Sequence, residues 1–187
     1  MQAEILSIGT ALPLYEYSQE MVGSEMPVRL GLSEIQGAKL KKIYQQSAIY
    51  KRHSVMEDLF GSNCEHFFSQ EKTPGMRERN ELYKEKALPL AIQAVRNTFK
   101  RWKGDPKSIT HVISVSCTGV FAPGIEFSII KEFGLQSTVD RLGINFMGCF
   151  GAFRGLAMAS ALALENPKNR VLVVCAELCS LHFQPTN

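Results

Sequence analysis

From Phe150 to Leu164 the chain reads FGAFRGLAMASALAL, with no Lys, Asp or Glu and only Arg154 and Ser160 polar. A helix that is apolar around its whole circumference belongs in an interior, not on a surface. At about 1.5 Å of rise per residue the run is too short to cross a bilayer, so it predicts a core helix of a soluble protein and no membrane partner. Gly151, Gly155, Ala159 and Ala163 recur every four residues and therefore share one face. Small residues along a ridge admit another backbone, so a second helix is expected to cross this one.

An extended apolar stretch, Leu142–Phe146, reads as a buried strand and delivers Met147-Gly148-Cys149 to the start of that helix. The sulfur of Cys149 is thus expected near the unpaired N–H groups of a first helical turn. The positive end of the helix dipole favours a thiolate there, and a thiolate is a nucleophile. An inert core cysteine is the common alternative. Gly148 is adjacent to Cys149, so the spacing is not that of a hydrolase nucleophile elbow.

Length and composition narrow the class. The chain has 187 residues, 45% hydrophobic and 21% charged, which suits one globular domain of ordinary size. A net charge of +3 without aromatic-basic repeats excludes a nucleic-acid binder. The N-terminal MQAEILSIGT has no basic segment followed by a long apolar one, so no signal peptide is expected. Five cysteines, none in a C-x-x-C pair, point to a reducing cytoplasm and no disulfide framework. Four scattered histidines make a metal site unexpected.

Along the chain, Glu4–Gly9 reads as a strand, Tyr17–Met26 and Ser33–Gln46 as helices, and Tyr50–Met56 as a short strand. Ser33 with Gln36 three residues on makes a weak capping box. Met56–Gly75 has no period and reads as a loop. A helix over Arg77–Lys103 places Leu88, Ile92, Val95, Phe99 and Trp102 on one stripe, with Pro89 expected to kink or restart it. Its basic C-terminal end, Lys100, Arg101 and Lys103, reads as a solvated helix terminus. Ile109–Ser116 reads as a buried strand, Ile125–Phe133 as a helix stopped by Gly134, and Val139–Phe146 as a strand. Arg170–Glu177, RVLVVCAE, is the most strand-like run and resembles a central parallel strand. Alternation of strand and helix from Ile109 to Glu177 predicts an α/β layer with right-handed crossovers. No repeat and no linker divides the chain.

Three segments carry a family pattern: THVISVSCTGVFAPGIEF, VDRLGINFMGCFGAFRGLAMA and NRVLVVCAELCSLHF. Together they resemble the first half of a type III polyketide synthase, the chalcone synthase-like branch of the thiolase superfamily. Gly148-Cys149-Phe150, the RVLVVCAE strand, and Thr118-Gly119-Val120 with Pro123-Gly124 are the most specific elements. The resemblance is firm over Ile109–Phe183 and poor over Met56–Gly75. It implies an α/β, thiolase-like layered fold, one half only, with a mixed, mostly parallel sheet and a buried central helix.

The same resemblance implies a condensing enzyme that uses coenzyme A thioesters as substrates, with no tightly bound cofactor. Cys149 matches the cysteine that takes a starter acyl group, and malonyl-CoA supplies the attacking carbanion. Cys117, Thr118, Cys179 and His182 should fall near the active-site cavity. Plant members commonly carry threonine where this chain has Cys117, Cys179 and His182, which argues against any plant product. Lys51 and Arg52 are the nearest candidates for the phosphates of coenzyme A, with a solvated charge pair as the alternative. The family's histidine and asparagine, which stabilise the enolate and the oxyanion, belong to a C-terminal half that these 187 residues do not match. His53, His66 and His111 read as ordinary surface or strand-end residues.

Burial leads to the same expectation. One sheet covers one side of Phe150–Leu164, and leaving the rest wet costs roughly 1.5–3 kcal/mol per large side chain against a total stability of about 5–15 kcal/mol. The chain is therefore expected to meet a second polypeptide, a C-terminal half or another copy of itself, and not to catalyse condensation alone. Ketoacyl-carrier-protein synthase III and hydroxymethylglutaryl-CoA synthase share the fold and nucleophile. A non-catalytic remnant that binds or regulates a full-length relative is the reading from another class.

Overall fold

A computed structural model describes residues 2–57 and 74–183. They fall into two compact units. One takes the residues before Leu12 together with Glu78–Leu178, and the other takes Leu12–Arg77 together with the residues after Leu178. None of the three boundaries has linker composition.

In the first unit, β3 (His111–Ser116), β4 (Asp140–Asn145) and β5 (Val171–Cys175) form a parallel sheet in the order β4-β3-β5. The register places Val112 beside Arg141 on one side and Leu172 on the other. The parallel α/β layer is as expected, but the central strand is β3, not the RVLVV run of β5. The burial expected for β3 is what the structure has, serines 114 and 116 included. Both serines are satisfied in the interior: Ser114 Oγ donates to Glu126 Oε2 at 2.8 Å and Ser116 Oγ accepts from Tyr83 Oη at 2.7 Å.

Strand alternation then separates the helices. Ser114 faces α4 (Ile125–Phe133), while Val115 faces α5 (Gly151–Glu165) on the opposite side. Helix α4 ends as expected at Gly134, whose φ of 58° suits a left-handed cap. Helix α3 (Met76–Trp102) is one unbroken helix with Pro89 inside it, so the proline does not restart it. Its buried face runs through Arg79, Tyr83, Ala87, Ala91 and Val95. Leu88, Ile92 and Phe99 lie along the edge of that face, half-buried, and small alanines occupy its centre.

Helix α5 departs from expectation in two ways. Its glycine ridge meets the sheet, not a second helix. A Cβ at Gly151 would stand 2.9 Å from Val115 Cγ1, and one at Gly155 would stand 3.0 Å from Val115 Cγ2 and 3.2 Å from Val173 Cγ1. Glycine lets the helix axis settle directly onto β-branched side chains, so the same small-residue signal serves helix-on-sheet packing. Nor is the helix enclosed. Only Gly151 and Gly155 are buried, whereas Phe153 is 65% and Leu156 47% exposed, with Met158 and Leu164 similar.

The N-terminal segment also differs. Glu4–Gly9 pairs with no described strand, so it is not a strand. It lies along α3 instead. Ser7 Oγ donates to Thr98 O at 2.9 Å, and Arg101 Nη1 donates to Ile8 O at 2.7 Å. Gly9 permits this approach, since a Cβ there would collide with the backbone of Ala94 and Thr98.

In the second unit, β1 (Tyr15–Ser18) pairs antiparallel with β2 (Lys51–Ser54), placing Tyr17 opposite Arg52. The expected helix from Tyr17 therefore starts late. Tyr15–Ser18 is strand, Ser18 Oγ caps Met21 N at 3.1 Å, and α1 runs over Gln19–Arg29. Helix α2 (Glu34–Gln46) carries the full capping box, with Ser33 N donating to Gln36 Oε1 at 3.1 Å and Gln36 N to Ser33 Oγ at 3.4 Å. The two helices cross closely through Gly23, where a Cβ would lie 3.0 Å from Tyr44 Cβ. The expected loop over Met56–Gly75 lies mostly outside the described residues.

Candidate active site around Cys149

The chain leaves β4 at Asn145 and turns sharply. Phe146 and Gly148 both take φ of 60°, Gly148–Phe150 forms one 3-10 turn, and α5 begins at Gly151. Glycine adopts this left-handed conformation freely, but Phe146 is held there at a cost of about 1–2 kcal/mol. Strain of this kind marks a turn that the surrounding structure dictates. Cys149 stands at the tip of the turn, two residues before α5, with its side chain exposed. The strand-to-helix placement expected for it is what the structure has. The N-terminus of α5 lies immediately beyond it, where the Gly151 N–H donates to Gly148 O.

A second turn abuts the first. Beyond β3, Cys117 Sγ donates to Gly148 O at 3.4 Å, which links the loop after β3 to the residue preceding Cys149. Glu177, just past β5, holds that loop with both carboxylate oxygens. Oε1 accepts from Cys117 N at 2.8 Å, and Oε2 accepts from Thr118 N at 3.1 Å and from Thr118 Oγ1 at 2.6 Å. Thr118 Oγ1 in turn accepts from Leu178 N at 2.9 Å. Underneath, Tyr83 from α3 donates to Ser116 Oγ and to Ala176 O. Burial pushes its hydroxyl up to about 12. Asn80 braces the far side of the loop, exchanging two hydrogen bonds with Val120.

Three of the expected residues, Cys149, Cys117 and Thr118, thus come together within the first unit. Cys179 and His182 lie in the second unit, on a 3-10 turn, both exposed. Lys51 and Arg52 lie in the same unit on β2 and have protein partners. Lys51 Nζ is 2.7 Å from Glu16 Oε1, and its hydrogen bond lowers that carboxyl below the usual range. Arg52 Nε donates to Gln19 Oε1 at 2.7 Å, and its guanidinium lies over the Tyr44 ring. Sequence reasoning passed over Glu177 and Tyr83. The available signal was a single carboxylate closing an otherwise apolar parallel strand, at the end where ligands of α/β sheets bind.

Desolvation, and behind it the charge of Glu177, pushes the Cys175 thiol up. A cleft of about 620 Å³ in the first unit is lined by Ser114, Ser116, Glu126, Asp140, Arg141 and Asn145 among others, but by neither Cys117 nor Cys149. Among the described residues no group of three His, Cys, Asp or Glu could hold a metal ion, and no helix is long and apolar enough to cross a membrane.

With this geometry in place, comparison with known proteins is specific. The chain is 35% identical over 183 residues to a probable polyketide synthase 1 of Dictyostelium discoideum, covering 98% of this chain and 6% of that protein. It is 29% identical to the alpha-pyrone synthesis polyketide synthase-like Pks18 of Mycobacterium tuberculosis, covering 96% and 45%. Among solved structures, the C-terminal type III polyketide synthase domain of Steely1, a type I/III hybrid from Dictyostelium, matches with a TM-score of 0.83 and 32% identity over all of this chain and 51% of that one. A polyketide synthase of the brown alga Ectocarpus siliculosus matches with a TM-score of 0.82 and 30% identity, covering 95% and 48%. The fold is therefore thiolase-like, and the chain spans about half the length of the Mycobacterium relative and of both structures, and a small part of the Dictyostelium protein. The family model for the N-terminal domain of chalcone and stilbene synthases matches residues 1–187, and the chain belongs to that family.

Proposed function

We propose that this chain is the nucleophile-bearing half of a type III polyketide synthase that condenses coenzyme A thioesters through an acyl-Cys149 intermediate. The Cys149 thiolate attacks the carbonyl carbon of a starter acyl-CoA, forming a C–S bond and releasing the thiolate of coenzyme A. Malonyl-CoA loses CO2, and the resulting carbanion attacks the acyl-Cys149 carbonyl. A C–C bond forms, the C–S bond breaks, and the sulfur leaves as thiolate. Cys117, Thr118, Cys179 and His182 line the acyl cavity in this reading. Lys51 and Arg52 contact the phosphates of coenzyme A, for which they must exchange Glu16 and Gln19. The setting is the cytoplasm.

The observation that carries the proposal is the exposed thiol of Cys149 on a strained strand-to-helix turn, in a chain whose whole length matches the family. Condensation also needs donors for the enolate and the oxyanion. We place these on a C-terminal half or second chain, which would cover the exposed flank of α5; a homo-oligomer supplies the same cover from another copy.

The test is intact-mass analysis after incubation with a short acyl-CoA. One acyl group should appear, map to Cys149 and be lost in Cys149→Ala, while malonyl-CoA should yield no polyketide from the 187 residues alone. Acylation that persists in Cys149→Ala would overturn the assignment. No acylation of the wild-type chain by any starter would favour the non-catalytic remnant.

A further inference from the structure

Glu177 has no part in that chemistry, yet its carboxylate accepts three hydrogen bonds from the turn that touches the nucleophile loop. Hydrogen bonds to a carboxylate are short, strong and directional. They are not needed to join the strands. Tyr83 already binds Ser116 and Ala176, the residues immediately before Cys117 and Glu177. What Glu177 adds is order beyond the strand ends, in the Cys117–Thr118 turn. That turn reaches the active loop through Cys117 Sγ, which donates to the carbonyl of Gly148. The Gly148 carbonyl shares a peptide plane with the Cys149 nitrogen and also accepts from Gly151 N at the start of α5, so its direction is coupled to the direction in which the chain presents Cys149.

We propose that Glu177 is a positioning residue for Cys149, acting through the Cys117 thiol on the carbonyl of Gly148. The inference rests on Cys149 being the nucleophile of the proposed function. Charge alone gives the opposite sign. A carboxylate nearby disfavours a thiolate, so removing it without moving the loop makes Cys149 faster. Loss of position makes it slower.

The experiment measures iodoacetamide alkylation of Cys149 at mildly acidic pH by peptide mass mapping, relative to N-acetylcysteine in the same tube. Wild type, Glu177→Gln, Glu177→Ala, Cys117→Ala, Cys117→Ser and the double variant Glu177→Gln/Cys117→Ala are compared, each well below its melting temperature. Wild-type Cys149 should outpace the free thiol. Both Glu177 variants and Cys117→Ala should slow it about tenfold, within the range that misplacing a reacting group costs. The double variant should be no slower than the slower single one, because both act through one contact. Cys117→Ser keeps a donor and should restore the rate to within about twofold. Should Glu177→Ala not fold, Glu177→Gln and Cys117→Ala carry the comparison. Selective labelling of wild-type Cys149 with unchanged or faster rates in the variants overturns the positioning role and leaves the nucleophile intact. A wild-type Cys149 no faster than the free thiol overturns both.

Discussion

The hydroxyl of Tyr83 stands 2.7 Å from Ser116 Oγ and also donates to the carbonyl of Ala176 at 3.0 Å. One buried side chain of α3 thus ties the carboxyl ends of two neighbouring parallel strands together, directly beneath the Cys117 and Glu177 turns. Tyr83→Phe should cost about 1–3 kcal/mol, because it leaves buried acceptors unmet, as read from urea unfolding. The pH dependence has a definite sign. The folded-state value lies near 12, above the unfolded value of about 10. The stabilisation is therefore complete below pH 10 and lost as pH rises toward 12. The stability gap between wild type and Tyr83→Phe should narrow over that window. A gap that stays constant from pH 7 to 11 would contradict this.

Helix α2 starts on a reciprocal pair of hydrogen bonds between Ser33 and Gln36. Ser33→Ala should destabilise the second unit by about 1 kcal/mol, the usual value of such a cap. Ser33→Asp should recover most of it, and amide exchange at the start of α2 is the local readout. Equal exchange in the Ala variant and wild type would show that the cap contributes nothing.

The exposed apolar flank of α5 makes a prediction of its own. Phe153 and Leu156 are 65% and 47% exposed, so replacing both with Gln removes little packing from this chain. The double variant should keep its melting temperature within a few degrees while binding less of a hydrophobic dye and self-associating less in ultracentrifugation. A loss of several kcal/mol would mean that the flank is covered within the chain itself.

Local signals were legible where their partners were local. The end of α4 at Gly134 and the cap at Ser33 each rest on contacts within a few residues. Glu4–Gly9 has strand composition, but a strand exists only beside another, and no described strand is there. Glu177 was illegible because the groups it binds lie about sixty residues away in the chain. That β3, read as buried, is the central strand was illegible for a similar reason, since its neighbours β4 and β5 join it only when the sheet assembles, and Glu126 and Tyr83 meet its serine hydroxyls only after the layers close.

By itself the sequence determined the parallel α/β layer, the delivery of Cys149 to a helix start, and the family. Each of these depends on periodicity and motif within short stretches. Only the tertiary structure decided that the glycine ridge of α5 lies on Val115 and Val173, that much of its remaining apolar surface is open, and that Glu177 holds the turn whose Cys117 thiol reaches Gly148. The physical reason is that composition reports how much surface wants burial but not against what. Hydrogen bonds between turns distant in sequence likewise exist only once the sheet has brought the ends of its strands together.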